Sequence, residues 1–315
     1  MTEKPVAFCM LATTFDARGS IDEQALRANV DRMVAAGNGI YLGSGGAGEG
    51  HALSMEEFDL VYRAGVEQCA GRVPVYANPP EPRTADGFIR TALRAVKAGV
   101  DVVQCYQLDA GHGMRPTLAE QTAYYTEILR EIRHPIALSL HTGSGYLPPV
   151  EMLSDLAGEF PQLTAINIIG LPTSYFVSVR DVMPAGIKLY TRLADAMTGL
   201  ALGASGTLSA ENNLIPHLCA AVLRRWARGD TNGAAIALAE VMRVSHVVNR
   251  WAPSTARWVK MGMRVMNLPG HAGGLRRPYL MPAQADLDRM AQLLGDLHVE
   301  EKEEHTRFEE AELTD

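Results

Sequence analysis

Residues 43–50 read Gly-Ser-Gly-Gly-Ala-Gly-Glu-Gly. Five glycines in so short a run let the backbone come close to a ligand and offer its N–H groups to an anion. Glu49 adds one carboxylate, or one hydrogen-bond anchor, beside that cradle. A flexible turn without a ligand is the plain alternative. His141 ends an apolar stretch and precedes Thr142-Gly143, which suits a general acid/base, because imidazole titrates near neutral pH. A capping or core histidine is an equal alternative. Tyr106 can donate a phenolic proton or simply pack. His112, within Ala110-Gly111-His112-Gly113-Met114-Arg115, suits a lid over a ligand or a solvent-exposed loop. Arg192 and Arg115 can fork onto a substrate carboxylate or form ordinary surface ion pairs. Two imidazoles (His112, His141) and the Glu49 carboxylate could bind a metal, but no HxH or HxxxH pair supports it, so no metal and no cofactor are expected.

The elements that must position these groups follow a simple grammar. Short, largely apolar runs at Val6–Leu11, Gly39–Leu42, Val73–Ala77, Val102–Tyr106, Ile136–Leu140, Thr164–Ile169, Gly186–Tyr190 and Ala201–Leu208 read as strands buried on both faces, as in a parallel sheet. Amphipathic stretches lie between them: Ile21–Ala36, Met55–Cys69, Ala85–Ala98, Leu118–Ile132, Pro149–Leu156 and Tyr175–Val182. About eight β/α units predict an α/β fold, a (β/α)8 TIM barrel, with an open doubly wound sheet as competitor. After Leu208 the pattern is helical over Asn213–Arg228, Gly233–Trp251, Ser254–Met266 and Ala283–Leu297. The expected organisation is a barrel over 1–229, a helical C-terminal extension over 230–297, and an acidic, solvated, mobile tail over 298–315.

The 315 residues are 47% hydrophobic and 21% charged, which suits a globular protein with a large core. Of the net charge of −7, the segment from Glu300 onward supplies six, with eight acids against Lys302 and Arg307. The body is therefore almost neutral, which argues against a nucleic-acid partner. Four cysteines without a CxxC pair read as buried free thiols and fit a reducing cytoplasm. The N-terminus has no signal-peptide pattern, and no stretch approaches the roughly 18 apolar residues of a membrane helix.

Over almost its whole length, to about Leu297, the chain resembles the dihydrodipicolinate synthase / N-acetylneuraminate lyase family. Gly45-Gly46-Ala47-Gly48-Glu49 sits where that family has Gly-Thr-Thr-Gly-Glu. Thr13-Thr14-Phe15-Asp16 with Gly19 matches its opening Thr-Pro-Phe-x-x-x-Gly. Gly203-Ala204-Ser205-Gly206 resembles its last-strand turn. Pro253–Leu268, with Lys260, resembles its C-terminal lysine segment, although Asn267 replaces a glycine. The resemblance implies a class I aldolase fold, a small-molecule substrate and a homo-oligomer, tetramer or dimer.

Three departures fall on one apparatus. The family's Schiff-base lysine on strand six is replaced by Asn167, within Ala165-Ile166-Asn167-Ile168, and an amide cannot form an imine. Its strand-five Tyr-Asn-x-Pro is gone from Ala137–His141. Gly46 and Ala47 replace the two relay threonines. The expected site is therefore the rim of the barrel, with His141, Tyr106 and Asn167 as chemical groups. Thr13, Gly45, Gly46, Ala47, Glu49, His112, Thr142, Arg192 and Ser205 are expected to contact a small, possibly carboxylate-bearing substrate. The expected chemistry is lyase-type, on a small carbonyl or 2-oxo-acid-like compound, without an imine. A Schiff base on Lys188, or a non-catalytic metabolite-binding barrel, are the alternatives.

Overall fold

The computed structural model describes residues 4–81, 83–109, 111 and 113–312. Eight parallel strands close into a barrel in sequence order: β1 (Val6–Met10), β2 (Gly39–Leu42), β3 (Val75–Ala77), β4 (Val102–Tyr106), β5 (Ile136–His141), β6 (Leu163–Ile169), β7 (Lys188–Arg192) and β8 (Gly206–Ser209). Helices α1 (Glu23–Ala35), α2 (Met55–Cys69), α3 (Ala85–Ala98), α4 (Leu118–Glu131), α5 (Val150–Glu159), α6 (Thr173–Val182), α7 (Ala196–Ala201) and α8 (Pro216–Ala227) alternate with them. The chain is thus a (β/α)8 barrel. Closure is tight where β8 meets β1: a Cβ on Gly206 would lie 2.0 Å from the Val6 carbonyl oxygen, so only glycine fits.

Alternate residues of each strand face the barrel axis. Low in the barrel, Phe8, Tyr41, Tyr76 and Tyr190 form an aromatic plug, with Phe8 ring centroids 5.2, 4.6 and 5.4 Å from those of the three tyrosines. Val102, Ala137, Ala165 and Leu208 complete this cluster. Outward residues such as Cys9, Ile40, Val103, Leu138 and Ile166 pack beneath the helices. All four cysteines are buried free thiols.

Several strand bounds shift; β3 begins at Val75 and β7 runs over Lys188–Arg192. The run expected as strand over Ala201–Leu208 begins in helix α7 and becomes strand only at Gly206, after Gly203 turns at φ +96°. Only Ala201 of the run is helical; residues 202–205 turn into β8, and small apolar residues in such a turn carry the same signature as a buried strand. β5 also runs one residue further, so His141 belongs to the strand.

Helices α9 (Thr231–Val248), α10 (Thr255–Val265) and α11 (Gln284–Asp296) form the extension. No described helix is long and apolar enough to cross a membrane. The acidic segment differs from expectation. Instead of a mobile tail, residues Val299–Glu312 form helix α12, docked on α8; residues 313–315 lie outside the described ones. The Glu303 carboxylate accepts the N–H groups of His217 (2.6 Å) and Leu218 (2.9 Å) at the start of α8. Lys302 binds Glu240 at 2.8 Å and Glu309 binds Arg225 at 3.1 Å. Capping a helix N-terminus with a carboxylate is favourable and is invisible in the composition of the tail.

Burial pushes the Glu303 carboxyl up to about 7, although the two N–H groups, Arg32 and Arg224 pull it down. A carboxyl raised on docking stabilises the docked state fully below its free value of 4.5, and that contribution is lost as pH rises through about 7. Amide-exchange protection of α12, corrected for intrinsic rates, should therefore be higher at pH 5.5 than at pH 8. In Glu303→Gln that pH dependence should flatten.

Candidate active site

The centre of the barrel, directly above the aromatic plug, is held by Asn167. Its side chain is fully buried on β6, and its Nδ2 donates to the Tyr41 hydroxyl (2.9 Å) and to Gln104 Oε1 (2.7 Å). The Tyr106 hydroxyl continues the chain, contacting the Gln104 side chain and the Gly45 N–H. One line of hydrogen bonds thus runs from β2 and β6, through β4, into the glycine turn. Its members are neutral, and all come from inward positions of their strands. Burial, opposed by few hydrogen bonds, raises the Tyr41 and Tyr106 phenols above their ordinary value, so both stay protonated at neutral pH.

His141 lies beside this line, with its ring centroid 6.1 Å from that of Tyr106 and edge-on at 83°. Its backbone N–H donates to Gln107 Oε1 at 2.7 Å. Its Nδ1 accepts the Gly143 N–H at 3.1 Å, so the neutral ring carries its proton on Nε2. His141 therefore caps the turn after β5, and its second nitrogen is left for chemistry.

The glycine turn is partly self-satisfied. The Gly48 N–H donates to Ser44 Oγ (3.0 Å) and the Glu49 N–H to the Gly46 carbonyl (3.2 Å). The N–H groups of Gly46 and Ala47 have no partner among the described residues. Buried polar atoms without partners also gather at strand ends: Thr13 Oγ1 after β1, Asn78 Oδ1 after β3, Asn167 Oδ1 on β6, and both amide atoms of Asn212 after β8. Such atoms are uncommon in native proteins. They give the rim unused hydrogen-bonding capacity.

Several expected contacts take other places. Glu49 is buried and faces away from the rim. Its Oε1 lies 3.1 Å from Lys260 Nζ on α10, and its Oε2 accepts the Arg276 N–H at 3.0 Å. Glu49 and Lys260 are both almost fully buried. The pair is a charge contact more than an aligned hydrogen bond, since Oε1 meets no hydrogen-bond geometry. Lys260 Nζ and the Arg276 guanidinium each sit 4.3 Å from the Phe15 ring centroid. Glu49 thus anchors the turn to the extension, and both its carboxylate oxygens face partners there; nor can it join a histidine around a metal while it holds Lys260.

Ser205 precedes β8 in a parallel barrel, so it sits at the lower end. There it lines a cavity of about 500 Å³ with Lys4, Lys188 and Tyr190. The strand starts only at Gly206, so Ser205 enters the barrel from below instead of ending a strand at the rim. Arg192 ends β7 at the rim but is exposed and bound to Asp195 at 2.9 Å. Thr142 is exposed. His112 lies outside the described residues. Lys188 pairs in register with Ala165, whereas Asn167 pairs with Tyr190. It is therefore two residues, about 6–7 Å along the strand, below the barrel centre, under the aromatic plug.

Gln104, Tyr41 and Asn212 were missed. Gln104 carried a signal, being a polar residue two positions before Tyr106 on an otherwise apolar strand. Tyr41 carried none, since a tyrosine in a buried strand reads as packing.

A model of the dihydrodipicolinate synthetase family matches residues 6–296. The chain belongs to that family. It is 27% identical over 314 residues to a 4-hydroxy-tetrahydrodipicolinate synthase of Sorangium cellulosum, covering 94% of this chain and 98% of that one. Against the synthase of that name from Bartonella tribocorum, identity is 31% over 231 residues, covering 71% and 76%. The fold also superposes on the solved 4-hydroxy-tetrahydrodipicolinate synthase of Methylacidiphilum fumariolicum SolV, with a TM-score of 0.85 at 20% identity over 96% of this chain and 99% of the other. The family match ends at residue 296, before helix α12.

Removing one partner of the buried Glu49–Lys260 pair should cost about 3–5 kcal/mol, because the other charge stays buried. Urea unfolding of Lys260→Met should show this loss. The double variant Glu49→Gln/Lys260→Met should recover part of it.

Proposed function

We propose that this family member is a lyase-type enzyme acting on a small carbonyl or 2-oxo-acid-like substrate without a lysine imine. The observation that carries the reading is Asn167: on β6 an amide, hydrogen-bonded on both sides, occupies the barrel centre. The synthase names of the relatives support a lyase class. The other amines offer no replacement. Lys260 is bound to Glu49 and to the Gly274 carbonyl (3.2 Å), Lys302 to Glu240 on the outside, and Lys97 lies exposed on α3. Lys4 and Lys188 line the lower cavity.

The groups at the rim fit proton transfer beside a carbonyl. Tyr106, kept protonated by burial, donates its hydroxyl hydrogen toward a carbonyl oxygen. The Gly46 and Ala47 N–H groups hold that oxygen by hydrogen bonds, and the proton given by Tyr106 keeps full negative charge from building there. His141, oriented through Nδ1, exchanges a proton through Nε2. Carbon–carbon lysis or formation, hydration and isomerisation can each use this set. A non-catalytic metabolite-binding barrel is the second reading, since His141 already serves as a cap and unpartnered rim atoms suit a bound ligand as well as a reacting one.

Intact-mass analysis after pyruvate and borohydride treatment should show no added mass; an adduct mapped to any lysine overturns the reading. For a carbonyl substrate found by screening, Tyr106→Phe and His141→Ala should each lower kcat by about 10²–10⁴ with KM little changed. Ligand stabilisation without turnover of any hit favours the second reading.

A further inference from the structure

We propose that Glu81 makes this site select an uncharged carbonyl compound over a 2-oxo acid, by holding a carboxylate against the glycine turn. The inference rests on the reading above and narrows its substrate class. Glu81 lies between β3 and α3, four residues beyond the end of β3. A Cβ built on Gly45 would stand 2.9 Å from Glu81 Oε1, so the acid lies against the face of that glycine. Its charge reaches Tyr106, where it opposes ionisation of the phenol. The Gly45 N–H meets the Tyr106 hydroxyl, and the free donors of Gly46 and Ala47 come next in the chain.

The charge of Glu81 is not matched from beneath the turn. Lys260 is paired with Glu49, and Arg276 with Glu57. At the rim, Arg192 is paired with Asp195. Arg83 lies toward Gly111, where a Cβ would meet its guanidinium. A substrate carboxylate seated on the Gly46 and Ala47 donors would share this corner with a second carboxylate. Like charges a few ångströms apart repel, and salt weakens the effect because Glu81 is exposed. A ketone or aldehyde oxygen brings no formal charge. It can accept the same N–H groups without that penalty.

The test is titration calorimetry at low ionic strength with two probes of similar size, pyruvate and hydroxyacetone, on the wild-type chain and on Glu81→Gln. Glutamine keeps the size and polarity of the exposed side chain, and circular dichroism confirms the fold. Wild type should bind hydroxyacetone at least about fivefold more tightly than pyruvate. Glu81→Gln should improve pyruvate binding by about fivefold or more, on the scale of a lost like-charge contact, and leave hydroxyacetone within about twofold. High salt should shrink the difference. Equal or tighter pyruvate binding by wild type, an unchanged pyruvate affinity in Glu81→Gln, or no binding of either probe to either protein overturns the proposal. A lysine–pyruvate adduct is a separate result, which removes the amine-free reading whatever Glu81 does.

Discussion

The buried amide of Asn167 sets the terms for everything above the aromatic plug. Its two hydrogens are spent on Tyr41 and Gln104, and Gln104 in turn meets Tyr106. Each such bond is worth about 1 kcal/mol net, but leaving a buried partner bare costs about 1–3 kcal/mol. The network is therefore held by the penalty for breaking it. It is also neutral throughout. An ammonium group at the same point would find a phenol, an amide and aromatic rings, with no carboxylate to offset its desolvation. Asparagine and its surroundings suit one another.

The ion pair in this protein lies elsewhere. Glu49 and Lys260 put opposite charges beneath the glycine turn, between the barrel and α10, with Phe15 held under Lys260 and Arg276. Arg276 also closes on Glu57, the residue that completes the Ser54 capping box of α2. The extension is thereby built against the glycine turn and the loop after β1. The turn that offers N–H groups at its tip is fixed at its base by buried charge, while Glu81 crosses its exposed face.

The barrel was legible because eight apolar runs at regular spacing leave few other folds, and each strand buried on both faces says so in its own residues. Asn167 was legible because its neighbours Ile166 and Ile168 fix its place on β6. Ser205 is misplaced for a specific reason: Ala201–Leu208 is rich in small and apolar residues, and sequence alone does not show that Leu202–Ser205 is the turn leading into β8. Glu49 was read as facing a ligand because the glycines around it do; its partner, Lys260, is more than two hundred residues away. The tail was misread because charge density suggests solvation, whereas Glu303 finds the N-terminus of α8. Long-range partners of buried charges are the part of a site that local sequence does not carry.

A crystal structure of the protein soaked with pyruvate and a neutral ketone tests the central point most directly. The Asn167 amide should remain hydrogen-bonded to Tyr41 and Gln104, with any bound ligand separate from every lysine nitrogen. Continuous electron density joining a lysine Nζ to the ligand carbon would contradict it.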